Sequence, residues 1–422
     1  MLEAAEQVVL TSRTPPPDLT GLRRRLRIGY FTLEALNGLA APFYFNYLFF
    51  YMRQHFGFEN RHNLMLTALH GFFYMFSAYK AGSFAQKRGY FFSLRLGFSG
   101  MGLALVIGAL LPHFWGYSRT TMFLELPVLI LWTLSMCLTW PILQALLTQH
   151  QPPTRLPRTA GIYNIVWATG AAIAYLTGGA LLEKFGGEIL LWLAAGLHGI
   201  ELLLLPRLQK MHAIAEAAPQ ETALEPSIPL PALNPRPISK ARNFLHLAWL
   251  ANPFAYVAIN GILPVIPKLT AGLGLSEASA GIICSVWFWV RLCAFILFWR
   301  WTGWHYRFGW LLCAFIALIV GFIGILLSSH IWLLVGAQVI FGLAVGLIYY
   351  SSLFYSMDAG ESNGKKGGIH EAAIGIGVFT GPTIGVSTLF LFQGQSNAGT
   401  YGISALLGVG LLALIWLRSR KI

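Results

Sequence analysis

Charged side chains are what this sequence has least of: they make up 11% of its 422 residues, against 56% that are hydrophobic, and its mean hydropathy is +0.61. A soluble chain of this length cannot bury that much apolar surface, so a water-soluble globular protein is excluded. Cysteine is scarce too. Cys137, Cys284, Cys293 and Cys313 all fall within apolar stretches, without the spacing of a disulfide framework or a zinc site, and read as small apolar residues. A nucleotide loop is missing, because the Gly-x-Gly pairs at Gly375 and Gly408 lie inside apolar stretches and lack the flanking strand and third glycine. No cluster of His, Asp or Cys stands out at a membrane face, so no catalytic or metal centre and no cofactor is expected. The chain also lacks a charged n-region leading to a short apolar stretch and a small-residue cleavage site. Its first apolar stretch is therefore expected to stay as an anchor, after a flexible opening tail.

What is present is a series of twelve apolar stretches, each near the roughly 20 residues that a helix needs to cross hydrocarbon. The first six lie near 28–51, 63–82, 92–112, 122–147, 160–182 and 189–206. The second six lie near 244–267, 278–299, 309–328, 331–356, 369–392 and 400–417. The alternating ten-residue pattern of a membrane barrel is absent, which leaves helix as the state that satisfies its own backbone in lipid. The expected fold is an all-α polytopic membrane protein with 12 transmembrane helices in two pseudo-symmetric six-helix bundles. Its divisions are a tail (1–27), a bundle (28–206), a linker (207–243), a second bundle (244–417) and a short tail (418–422). Six prolines between Pro219 and Pro237, with Glu216, Glu221 and Glu225, predict an extended cytoplasmic linker.

Basic residues set the expected orientation. With the N-terminus in the cytoplasm, 23 of the 29 Lys and Arg fall on or beside cytoplasmic segments, among them Arg23, Arg24, Arg25, Arg27, Lys87, Arg88, Arg155 and Arg158. Only Arg53, Arg61, Arg119, Lys184 and Lys268 fall outside, and Arg291 is the one left in the middle of a span. That bias predicts both termini in the cytoplasm. It also explains the net charge of +13 as orientation and contact with anionic lipid, with no need for nucleic acid.

The halves echo each other. Asn164, Gly170 and Gly178 in span 5 recur as Glu371, Gly377 and Gly385 in span 11, shifted by 207 positions, and Asn37-Gly38 in span 1 recurs as Asn260-Gly261 in span 7. The turn from Gly82 to Tyr90 has a worn counterpart at Thr302 to Trp310. Such matches in corresponding places point to duplication of a six-helix unit.

With this layout and its central linker, the chain resembles the major facilitator superfamily of secondary transporters over nearly its whole length. The turn Gly82-Ser83-Phe84-Ala85-Gln86-Lys87-Arg88-Gly89-Tyr90 is similar to the family's signature between helices 2 and 3, with Gln86 where the family has aspartate. Gly377-x-x-x-Gly381-Pro382-x-x-Gly385 resembles a motif that the family's drug antiporters carry in helix 5, here in helix 11, and span 4 lacks the arginine of the proton-coupled drug exporters. The resemblance implies alternating access, in which two bundles rock about a central cavity.

The residues suggest what such a cavity would hold. Arg291 lies mid-span between Trp287, Trp289 and Phe295, where a charge costs at least about 2.5 kcal/mol. It reads either as a fork for a carboxylate or phosphate, or as an ion pair or carbonyl contact locking the bundle. Glu371, preceded by His370, could bind a coupling proton or pair with Lys87 or Arg88 as a latch. Glu34, close to Arg27, has the same two readings. His70, Asn37, Asn46, Gln144, Asn164, Asn260 and Gln338, with Trp140, Trp167, Trp287, Tyr349 and Tyr350, could line a polar and aromatic wall or bond between helices. Gly170, Gly178, Gly377, Gly381 and Gly385 read as close-packing positions and Pro382 as a kink. The function expected is secondary transport of a small organic solute, with an anion and a coupled proton as the finer reading, by a monomer in a bacterial cytoplasmic membrane. The alternative is a non-transporting sensor or assembly factor that keeps the same fold.

Overall fold

The computed structural model describes residues 19–149, 156–217, 238–358 and 364–420, and every regular element among them is an α-helix. In the first half these are α1 (Leu19–Phe56), α2 (Asn60–Arg88), α3 (Tyr90–Trp115), α4 (Arg119–Met136), α5 (Trp140–Thr148), α6 (Leu156–Phe185) and α7 (Glu188–Ala217). In the second they are α8 (Ile238–Ile262), α9 (Ile266–Gly272), α10 (Glu277–Cys284), α11 (Val286–Arg300), α12 (Phe308–Leu326), α13 (Ile331–Asp358), α14 (Gly364–Leu391) and α15 (Ala398–Arg420).

Three consecutive pairs are broken rods. The α4–α5 break falls at residues 137–139, the α8–α9 break bends the chain by 49°, and the α10–α11 break falls at Ser285. Pro141 at the start of α5 and Pro264 between α8 and α9 supply no amide hydrogen to continue the ladder, which explains two of the breaks. Each pair counted once, the described helices form twelve rods, matching the twelve apolar stretches. Nine of the described rods are long and apolar enough to cross a membrane, or ten with the bent α8–α9 pair counted as one span. The rods that fall short are α1 and α2. They carry Glu34, Asn37, Asn46, Asn63, Thr67 and His70, all buried toward the centre of the protein, so polarity lowers their hydropathy without facing lipid.

Helices run past the apolar limits at both ends of the first bundle. The N-terminal helix begins at Leu19, so 19–27 is helix where a tail was expected, and α7 continues to Ala217 into the stretch expected to be extended. That extension is held by packing: Leu208 lies against Gly29, and His212 Nδ1 is 2.9 Å from the Tyr30 hydroxyl. The second bundle likewise starts early, at Ile238. Residues 1–18, Arg155, the proline-rich 218–237 and residues 421–422 lie outside the described residues.

Between α2 and α3 the chain turns on Gly89 alone, at φ 98°, while its N–H donates to Ala85 O at 2.8 Å. An L-residue rarely adopts that φ, which is why this end of the Gly82–Tyr90 turn needs glycine.

The halves meet along two seams. In one, α2 lies along α14 for much of its length; in the other, α6 crosses α10 and α11. Small residues allow both: a Cβ on Gly71 would fall 2.4 Å from Phe379 N, and one on Gly179 2.0 Å from Glu277 O. A cavity lies between the seams.

Candidate functional site

The cavity measures about 190 Å³ and takes its wall from α1, α2, the broken α4–α5 rod, α6, α8, α11, α13 and α14. Each broken rod reaches it beside its break: Met136 and Trp140 flank the first, Leu263 sits in the second, and Trp287 follows the third. Backbone freed from the helical ladder is tolerated inside a membrane protein where it is buried or lines a cavity.

Arg291 enters the cavity from α11 and is 6% exposed. Its guanidinium carbon stands 4.7 Å from the Trp167 ring centroid, 4.9 Å from Trp287 and 5.2 Å from Phe288. Ring faces attract the cation, most strongly where water is excluded. Nε has no hydrogen-bond partner, and no carboxylate among the described residues forms an ion pair with the group. The expected alternative of a bundle-locking ion pair is thus not what surrounds it; aromatic rings take that place.

The carboxylates lie elsewhere on the wall. Glu371, partly exposed, accepts a 2.6 Å hydrogen bond from the Tyr74 hydroxyl across the α2–α14 seam. The expected latch to Lys87 or Arg88 does not form, since both basic residues, like Gln86, are exposed at the end of α2 while Tyr74 occupies the carboxylate. Glu34 is fully buried with the Tyr163 hydroxyl as the polar group beside its carboxyl, and it forms no ion pair with Arg27. The His370 side chain lies outside the described residues.

His70, Asn46, Gln144, Asn260, Trp140, Trp167, Trp287 and Tyr349 all line the cavity. The Thr133 hydroxyl donates to Leu129 O at 2.7 Å, so it can accept only from His70, whose Nδ1 is 2.8 Å away. That network assigns the proton to Nδ1 and leaves Nε2 as an acceptor when the ring is neutral. Phe45, with its ring centroid 4.3 Å from the imidazole, fixes the other side.

Three expected wall residues are spent on packing. Asn37 donates to Thr139 Oγ1 at 3.2 Å, Asn164 accepts from Trp167 Nε1 at 3.0 Å, and Gln338 donates to Ile283 O at 3.0 Å. None of them lines the cavity. Tyr163 and Tyr256 line it without having been singled out; their signal in the sequence was a tyrosine on a span that already carried a candidate polar residue. The glycines sit at close approaches: a Cβ on Gly170 would fall 2.8 Å from Gly38 C, and one on Gly377 2.1 Å from Pro253 O. The α14 helix runs unbroken through Pro382.

On the side away from the termini the cavity is sealed. The Tyr47 hydroxyl donates to Tyr175 O beside the α6–α10 crossing, and Asn63 Nδ2 donates to Pro264 O at 3.2 Å. Farther out, Lys268 Nζ meets Glu59 Oε2 at 2.6 Å, and Glu183 Oε2 accepts from Ala278 N at 2.9 Å. Lys268, followed by Arg53, holds the Glu59 carboxyl below the usual carboxylate range. Toward the face that bears the termini, the wall carries the partly exposed Gln144 and Glu371.

The sequence model of the Major Facilitator Superfamily matches residues 4–175. Among solved structures, a variant of the nucleoside transporter NupG aligns with a TM-score of 0.67 at 13% identity, covering 93% of this chain and 99% of its own. The human organic anion transporter MFSD10 (TETRAN) aligns with a TM-score of 0.64 at 13% identity, covering 95% of this chain and 100% of its own. At that identity the likeness is one of fold. No curated protein matches the chain in sequence.

Proposed function

We propose that this chain is a transporter of the Major Facilitator Superfamily that carries a small organic anion across the bilayer by alternating access, coupled to protons. The observation that carries the reading is Arg291: a buried guanidinium on the cavity wall, with no carboxylate paired to it among the described residues. A guanidinium presents paired N–H donors that match a carboxylate or phosphate, and an aromatic surround keeps its orientation. Intramembrane charges mark substrate paths by default.

Proton coupling follows from the other charges. An anion entering a cavity that also holds Glu34 and Glu371 is repelled while both carboxylates are ionised, and is accommodated when they carry protons. Solute and proton binding are therefore mutually favourable, as cotransport requires. The sealed outer side and the wall reaching toward the face with the termini fit a state that loads or releases from that face. With both termini in the cytoplasm, as the distribution of basic residues predicts, that state opens inward.

A second reading has one observation in its favour: three aromatic rings already satisfy Arg291, which suits a structural cation beside a neutral polar solute held by Asn46, Asn260 and His70. Exchange in proteoliposomes separates the two. Radiolabelled organic acids, phosphorylated metabolites, sugars and nucleosides are offered to vesicles preloaded with the same compound. Counterflow of an acid that weakens when the pH is raised supports the proposal; counterflow of sugars or nucleosides alone, indifferent to pH, sinks it.

A further inference from the structure

Behind Glu34 lies a pair of titratable groups that the cavity does not use. On α7, His198 Nδ1 and Glu201 Oε2 are 2.7 Å apart, and both side chains are completely buried. Their other polar atoms, His198 Nε2 and Glu201 Oε1, have no partner, and the Glu34 oxygens have only the Tyr163 hydroxyl beside them. The α1–α7 seam places Glu34 and the pair on facing helices. These helices run antiparallel with Gly29 against Leu208 and Tyr30 against His212, and that register sets Glu34 within one to two helical turns of Glu201, on the same face as Tyr30.

The charges facing this site from every packed element do not neutralise it. From α1 come Glu34 and Tyr30, the latter engaged with His212; α7 itself adds Glu216 farther along. The α3 face opposite His198 is Phe98 and Gly102, and its one cation nearby, Arg95, is bound to Gln209. From α6 comes Tyr163, and across the cavity stand Glu371 and Tyr74. Among the described residues no lysine or arginine pairs with Glu34 or Glu201. Two ionised carboxylates cannot share so dry a place with one imidazole for compensation; burial is tolerated only when the group is paired or neutral. At least one proton must be shared among the three.

We propose that Glu34, Glu201 and His198 form one buried proton-binding site behind the cavity wall, loaded from the cavity through Glu34. Glu34, fully buried in this state, is the member on the cavity wall, so a proton entering from the cavity reaches its carboxylate first and is held there or passed on toward Glu201. The inference deepens the coupling reading above by assigning the proton to the first bundle, away from Arg291. Its role in transport rests on that reading, whereas its proton occupancy does not.

The test needs no solute. Infrared spectra of the full chain in liposomes are titrated from alkaline to acid pH, and the carbonyl stretch of protonated carboxylic acid is followed in water and in heavy water. The expected result is a deuterium-sensitive acid band at neutral pH that loses intensity in Glu34→Gln and in Glu201→Gln. His198→Gln keeps Glu201 in place and should shift its part of the band, since the hydrogen-bond partner changes. This variant decides the matter if Glu201→Gln does not fold. A neutral-pH acid band unchanged in Glu34→Gln, or unmoved in His198→Gln, overturns the shared site. Neither result depends on what Arg291 binds, so failure here and failure of the anion reading are distinct.

Discussion

Replacing Lys268 with alanine should loosen the outer seal without unfolding the protein, and the size of the effect follows from exposure. Lys268 Nζ lies 2.6 Å from Glu59 Oε2, but both side chains are 46% exposed, and Arg53 approaches the other oxygen at 3.5 Å. Solvent screening puts such a pair at about 0.2 to 1 kcal/mol, well below a buried one. The bond joins the two halves, so it stabilises the sealed arrangement specifically. Its loss raises the open fraction by between about 1.4-fold and about fivefold at RT of about 0.59 kcal/mol. A Thr270→Cys reporter measures this, since Thr270 is buried yet borders the cleft just outside the seal. Labelling by a membrane-impermeant maleimide, corrected for thiolate fraction, should quicken by that factor when Lys268→Ala is added. The pH dependence has a definite sign. The Glu59 carboxyl sits lower in the folded protein than in the unfolded chain, so the stabilisation is complete above the ordinary carboxylate pKa and is lost as pH falls through the lowered value. The parent should thus approach the Lys268→Ala rate in acid, and high salt should narrow the gap at neutral pH. An unchanged rate, or a rise far beyond tenfold, would refute this account of the seal.

Other expectations are as direct. Gly377→Ala places a methyl 2.1 Å from Pro253 O, a backbone atom that cannot rotate away, and should cost about 1 to 3 kcal/mol, read as a lower melting temperature in detergent. Gly408→Ala meets nothing within 4 Å and should leave stability the same or raise it by about 0.4 to 1 kcal/mol; equal behaviour of the two variants contradicts the packing. Tyr74→Phe removes the 2.6 Å bond to Glu371 and should cost about 1.5 to 3 kcal/mol. In a double-mutant cycle with Glu371→Gln the losses should be less than additive, and simple additivity would deny the bond.

The fold was legible because apolar length and basic asymmetry report it directly, helix by helix. Even α1 and α2, the least apolar rods, could be placed from the stretches at 28–51 and 63–82. The wall of the cavity was only half legible, because hydropathy does not say which arc of a buried helix faces inward. On α1, Glu34, Gly38, Ala41, Pro42, Phe45 and Asn46 line the cavity, whereas Asn37 lies about 100° around the helix from the centre of that arc and bonds to Thr139 instead. Asn46 and Asn37 look alike in the sequence and differ only in this angle. Gln338 reads as a cavity amide until Ile283 O and Trp287 N, freed near the α10–α11 break, are seen to occupy it. The breaks themselves had a signal in Pro141 and Pro264. His198 and Glu201, three residues apart on an apolar helix, were equally visible, and their spacing is what allows a helical pair to meet.

Arg291 is the residue on which recognition of an anion depends most directly. The measurement is thermal stabilisation of the purified protein in detergent by organic acids, phosphorylated metabolites, sugars, amino acids and lipids, in the parent chain and in Arg291→Ala and Arg291→Lys. Binding raises the melting temperature by mass action. An anion should stabilise the parent. Alanine removes a two-pronged charged contact of about 3 kcal/mol and should weaken the anion on the order of a hundredfold in Kd, while lysine retains the charge without the fork and falls between. A neutral ligand that stabilises parent and Arg291→Ala alike, with no anion active, would contradict the account and return Arg291 to its aromatic cage as a structural cation.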